Sequence, residues 1–160
     1  MLFRSLEIEE KYPGIKLIIA HIGRAYTPGD LGNAFDMLKA TKNMRFDFSA
    51  NTLDAALETC LRTVGPKRFL FGSDMPITKM RMFRICEREN YINVVPRGLY
   101  GDLTACAHMT EAPDGLEDRI TLFFYEVLLA FKRTAQKLGL TKSDVADIMY
   151  NNAAELFGIA

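Results

Sequence analysis

A chain of 160 residues can enclose one hydrophobic core but not two of ordinary size. Its 20 basic residues cancel its 20 acidic ones, so no positive excess points to nucleic acid or a membrane as partner. With 49% hydrophobic and 25% charged residues, the composition is that of a soluble globular domain. The opening "MLFRSLEIEEKYPG" becomes charged too soon for a secretory leader and reads as a helix end.

Three apolar segments follow in order, "KLIIAH" (16–21), "RFDFSA" (45–50) and "RFLFGSD" (68–74). The first and third are nearly continuous hydrophobic runs, as in strands buried on both faces of a parallel sheet. Thr27 as N-cap and Pro28 at the first helical position predict a helix carrying Leu31, Ala34, Phe35 and Leu38. Asn51 is placed to cap a second helix, with Leu53, Ala56, Leu57, Cys60 and Val64 on one stripe and Gly65-Pro66 as its stop. Cys60 then reads as a small filler of a packed helix face. The alternation of strand and helix predicts an α/β fold with parallel strands and right-handed crossovers.

Beyond Pro76 the rhythm breaks. Residues 77–116 read as a long irregular insertion, with a short basic helix around Lys79 to Arg88 whose Lys79, Arg81, Arg84 and Arg88 form a solvated face in preference to a site for an anionic substrate. A helix from about Leu116 to Leu138 is apolar on more than one side, through Phe123, Phe124, Val127, Leu128 and Phe131. Such a helix is expected to lie deep or to meet a partner. The last helix opens with the capping box Thr141-x-x-Asp144 and should bury Val145, Ile148, Met149, Ala153 and Leu156. The run "ITLFFYEVLLAF" is interrupted by Glu126 and falls short of a bilayer span. Three cysteines, Cys60, Cys86 and Cys106, form no C-x-x-C pair and fit a reducing, cytoplasmic setting.

Two residues stand where chemistry is expected. His21 ends the first strand and Asp74 the third, and the C-terminal ends of parallel strands face the ligand crevice. There an aspartate can bind a metal or take a proton from water, and a histidine can bind metal or stabilise developing charge. No G-x-G-x-x-G or Walker-type loop follows any strand, which weighs against a phosphate-binding domain.

The blocks "YPGIKLIIAHIG", "FDFSANT", "VGPKRFLFGSDMP" and "IMYNNAAELFGI" resemble successive blocks of the amidohydrolase superfamily. The likeness is to its metal-dependent hydrolases and decarboxylases related to aminocarboxymuconate semialdehyde decarboxylase. The resemblance implies a (β/α)8 barrel, here as a partial barrel containing the sixth, seventh and eighth strands with their helices, plus the C-terminal helices. It implies a single domain over residues 1–160, with the 77–116 insertion on the active-site face. It assigns His21 to the sixth-strand position that polarises substrate or water. Asp74 takes the eighth-strand position that binds the metal and serves as acid/base. "YINVVPRGLYGDLTACAHMTEAP" resembles insertions in bacterial members, making Arg97, Tyr100, Asp102 and His108 candidate substrate contacts. Cys106-x-His108 could form half a metal site, and Asn51 falls near the family's pocket although helix capping accounts for it.

The departure from the pattern is a missing first half. The family adds an H-x-H strand and a fifth-strand histidine, whereas this chain has two histidines, His21 and His108, and no H-x-H. The expected cofactor is a divalent metal, zinc foremost, and a catalytic zinc takes three protein ligands. One copy of this chain is thus expected to be incomplete: a truncated hydrolase acting on a small-molecule C–N or C–O bond, or a related decarboxylase. The alternative is a catalytically silent binding or oligomerisation module. Open sheet edges predict a homo-oligomer or a missing N-terminal half.

Overall fold

The computed structural model describes residues 2–159. Helix α1 (Leu2–Lys11) stops ahead of Pro13-Gly14, and Glu9 ties it down by accepting the backbone N–H groups of Lys42 and Asn43, both at 2.7 Å. Strands β1 (Ile18–Ile19), β2 (Arg45–Asp47) and β3 (Phe69–Leu70) form one parallel sheet in that order. Ile19 pairs with Phe46, and Phe46 with Phe69. The fold is therefore α/β, as the alternation implied. Each ladder is shorter than its apolar segment because the polar ends, His21, Ser49-Ala50 and Asp74, leave extended geometry.

The first crossover is not the continuous helix expected from Thr27. Asp30 accepts from the backbone N–H groups of Tyr26 and Thr27 and from the Thr27 hydroxyl, closing one 3-10 turn (Pro28–Asp30). Gly32 then takes φ +39°, which interrupts helical propagation. Only α2 (Ala34–Leu38) follows, burying Phe35 and Leu38. The second crossover, α3 (Asp54–Val64), buries Ala56, Leu57, Cys60, Leu61 and Val64 and ends at Gly65. Its N-cap position is Leu53 rather than Asn51.

Residues 77–116 are irregular only in part, over 96–108 and 112–116, and no basic helix forms there. After a 3-10 turn (Ile77–Lys79), β4 (Phe83–Glu87) and β5 (Asn90–Val95) make an antiparallel hairpin. Strand β6 (Met109–Glu111) joins β5 in parallel. The charges masked a two-residue period: Phe83 and Ile85 pack toward Val94, Ala112 and Ile120 while Arg84 takes the other face. The hairpin tip falls at Arg88, in left-handed geometry.

Helix α4 (Phe123–Leu138) starts later than expected, after a 3-10 turn at Glu117–Arg119. Arg81 occupies that stretch, donating to the carbonyls of Ile120 and Glu117. The helix buries Phe123, Val127, Ala130, Phe131, Thr134 and Ala135. Phe124 and Leu128 on its other side are partly covered, while Tyr125 (53%) and Leu129 (46%) stay exposed. Phe48 on the strand side stacks on Phe131 at 4.7 Å and Phe69 at 5.4 Å, the centre of the core. Arg133 grips Asp54 on α3 with two 2.8 Å bonds.

The Thr141/Asp144 capping box forms as read and opens α5 (Lys142–Ala146). A π turn (Asp147–Asn151) leads into α6 (Asn152–Phe157). The wider turn rotates the buried face. Ile148, Asn152 and Ala154 are buried, whereas Val145, Met149, Ala153 and Leu156 are only partly so. Asn152 donates to the carbonyls of Pro66 and Phe69, and the Ile148 carbonyl accepts from Phe71 N, which closes the outer edge of β3. Among the described residues no helix is long and apolar enough to cross a membrane.

Candidate active site

All three strands of the parallel sheet point their C-terminal ends to one edge, and the polar residues of the three motifs leave the strands there. His21, Ile22, Gly23 and Arg24 are four consecutive residues at φ between 51° and 67°. Ala50 after β2 has φ 48° and Asp74 after β3 has φ 50°. For residues other than glycine such geometry costs about 1–3 kcal/mol each and persists only where surroundings enforce it. Ile22, β-branched, is the least tolerant of all. Among the described residues, five of the six left-handed non-glycine residues lie in these three loops, with Arg88 the exception. Backbone strain is thus gathered on one edge.

What enforces the His21 turn is a polar network that joins the ends of β1 and β2. One oxygen of Asp47, Oδ1, accepts the His21 backbone N–H at 3.0 Å, the Ser49 backbone N–H at 3.0 Å and the Ser49 hydroxyl in a very short bond. His21 Nδ1 lies 2.9 Å from both the Ser49 carbonyl and the Ser49 hydroxyl. Asn51, fully buried, donates to the carbonyls of Ala25 (2.9 Å) and His21 (3.3 Å) and accepts from Leu53 N (3.0 Å). Its role is to clamp the His21 turn to the start of α3. Gly72 passes over this network so closely that a Cβ there would come within 3.1 Å of Ser49 Cβ and 3.3 Å of Asp47 Cγ.

Asp74 is half-buried at the mouth of β3, and its backbone carbonyl accepts from Thr78 N. Its charge is felt at Tyr26, whose hydroxyl pKa is raised by burial first; Arg84 and Arg24 pull the other way, and Asp74 adds to the rise. Arg84, read from sequence as part of a solvated face, instead reaches in from β4. Its guanidinium donates to the Ala50 carbonyl (2.8 Å) and Asn93 Oδ1 (2.9 Å) and packs on the rings of Tyr26, Tyr91 and Phe123 at 4.2, 4.8 and 4.9 Å. Burial lowers its pKa from the usual arginine range. The second sheet is thereby pinned onto the edge that carries His21 and Asp74.

The other sequence candidates take up different contacts. Arg97 pairs with Asp114 at 2.7 Å on an exposed turn. The Tyr100 hydroxyl accepts from Arg81 N at 2.8 Å. His108 stacks on Tyr91 at 4.4 Å, and its backbone carbonyl accepts from Asn93 N at 2.9 Å. Asp102 accepts from Thr104 N within its own turn, and Cys106 is exposed. Asp47 and Ser49 were missed, although the signal was present: two polar residues spaced i, i+2 in "FDFSA" must share one face of the strand.

A family model described as amidohydrolase matches residues 7–87, just over half of the chain's length. The chain belongs to the amidohydrolase family. The matched span contains β1, β2, β3 and the whole His21–Asp47–Ser49–Asp74 edge of this amidohydrolase, and it ends with β4. A comparison with curated proteins finds no match. Amidohydrolases are generally metal-dependent, so the donor set is the test of fit. Among the described residues no three His, Cys, Asp or Glu side chains are grouped so as to hold a metal ion. His21 Nδ1 is already committed to Ser49, leaving Nε2 and the Asp74 carboxylate as donors. The residues present do not fit a complete metal centre.

Proposed function

We propose that this amidohydrolase segment carries one side of the catalytic face of a hydrolase for a small-molecule C–N or C–O bond. Related decarboxylation falls within the same chemistry. The observation that carries this reading is the gathering of strained, hydrogen-bonded polar residues on the C-terminal edge of a parallel sheet, inside the family-matched span. Asp74 is the group suited to take a proton from water and return it to the leaving atom. His21 presents its free Nε2 from the neighbouring loop. The three strands represent the sixth to eighth of an eight-stranded barrel, and 77–116 folds over the substrate side, with Arg97, Tyr100 and His108 as wall residues. The remaining donors for zinc come from another polypeptide or a second copy. The uncovered apolar surface of α4, at Tyr125 and Leu129, supports an oligomeric or completed assembly. Three unpaired thiols suit a reducing, cytoplasmic setting.

A second reading, a silent binding module, is favoured by one feature. A cavity of about 570 Å³ between α4 and the following helices is lined mainly by apolar residues, among them Leu128, Phe131, Leu140, Val145 and Met149. Metal content separates the two. Protein purified without chelators, alone and after mixing with any co-purifying partner, is measured beside Asp74→Asn. Near-stoichiometric divalent metal that is lost in the variant supports the hydrolase reading. No metal in any preparation, or metal unaffected by the substitution, leaves the binding module.

A further inference from the structure

The polar network between the ends of β1 and β2 decides which ring nitrogen of His21 is free. A carbonyl oxygen only accepts hydrogen bonds, so the 2.9 Å contact between Nδ1 and the Ser49 carbonyl requires the proton to sit on Nδ1. The Ser49 hydroxyl, also at 2.9 Å, spends its own hydrogen on Asp47 Oδ1 and is left to accept from the same Nδ1–H. All the donors around Asp47 Oδ1 then have one acceptor, and each acceptor around Nδ1 has one donor. With Nδ1 protonated, the neutral ring exposes a lone pair at Nε2. The ring cannot donate from Nε2 without first gaining a proton.

We infer that Asp47 and Ser49 are positioning residues that hold His21 as the Nδ1–H tautomer and aim its Nε2 lone pair outward from the strand edge. Asp47 acts in two ways at once. It fixes the left-handed turn through the His21 backbone N–H, and it orients Ser49 through both the backbone N–H and the hydroxyl. Gly72 leaves the room that this arrangement requires. Asn51 holds the same turn from behind by accepting nothing from the ring and donating to the His21 carbonyl. In the proposed hydrolase, His21 is then a proton acceptor or a ligand in its neutral form, not a hydrogen-bond donor to substrate. The inference rests on that reading only for its use; the tautomer stands on the geometry.

The test is an ¹⁵N spectrum of the two imidazoles, with His108→Gln to assign them, recorded above the histidine titration range on the full chain. His21 is expected as a single Nδ1–H tautomer. Removing a hydrogen bond to a charged group in Asp47→Ala should shift the tautomer ratio toward Nε2–H by a factor of about ten or more. Thermal unfolding checks that the variant is folded. Should that variant fail to fold, Ser49→Ala, which keeps the carbonyl but removes the hydroxyl, should still yield a measurable Nε2–H fraction. An Nε2–H tautomer in the unmodified chain, or an unchanged single Nδ1–H form in the folded variants, overturns the inference. Because no substrate or metal enters the measurement, failure of the hydrolase reading would leave this result standing, and the reverse.

Discussion

Asn51→Asp separates two roles that one residue could play. As a helix N-cap, aspartate substitutes for asparagine almost without cost, since both accept from the first-turn N–H groups. In the structure the amide instead donates two hydrogen bonds, to the Ala25 and His21 carbonyls, and accepts one from Leu53 N. The substitution keeps the acceptor and converts both donated bonds into contacts between a carboxylate and carbonyl oxygens. The site is fully buried. With buried groups left unsatisfied at about 1–3 kcal/mol each and a charge added without a partner, the expected loss is about 3–5 kcal/mol. For a chain of this size that is a fall in Tm of at least about 6 °C. Asn51→Ala serves as the reference, because it removes donors and acceptor without adding charge. The assay is urea unfolding of the three proteins at pH 7, followed by the Asp variant at lower pH. The introduced carboxyl has a folded pKa above its unfolded value, so its penalty is full above the folded pKa. It shrinks as the pH falls and the protonated group regains a donor. An Asp variant within about 0.5 kcal/mol of the parent at pH 7 would refute the clamp and restore the cap.

Gly72→Ala tests the crowding over the site without backbone strain, because Gly72 does not occupy the left-handed region. The added methyl meets Ser49 Cβ at 3.1 Å, for an expected cost of about 1–3 kcal/mol in denaturant unfolding; a neutral result would mean that the three loops are loosely held. Lys67 and Asp147 supply a pH-dependent tie between the stretch before β3 and the π turn. The bond from Lys67, followed by that from Asn151, holds the Asp147 carboxyl below its ordinary value. Its contribution is therefore present above the unfolded-chain value of about 3.9 and lost as the pH falls through the lower folded value. Lys67→Met should be less stable than the parent near pH 6, and the gap should close in acid. A gap that stays constant across that range would contradict the linkage.

The residue pattern determined the parallel α/β arrangement because continuous apolar runs, helix caps and glycine stops are local properties, and local geometry follows from them directly. It also marked His21 and Asp74, since strand ends and their polar residues can be read by counting. The Thr141/Asp144 box was legible for the same reason. Where charge and period conflicted, sequence reasoning failed. Arg84 looked like one of four basic residues on a wet helix, yet Phe83 and Ile85 made the segment a strand and sent the guanidinium inward among three rings. Asn51 looked like a cap because its best-known local partner lies two residues ahead, while two of its three bonds run back across more than twenty residues. Arg97, Tyr100 and His108 shared a loop in sequence, but their partners, Asp114, Arg81 and Tyr91, divide them.

Only the tertiary structure could decide which nitrogen of His21 is free. That choice depends on Asp47 and Ser49, which lie 26 and 28 residues away and meet the histidine only when β1 and β2 pair. Hydrophobic periodicity fixes which residues turn inward; it carries no information on which polar atoms then share a proton. Those atoms are matched by the register of neighbouring strands, a property of the folded chain as a whole.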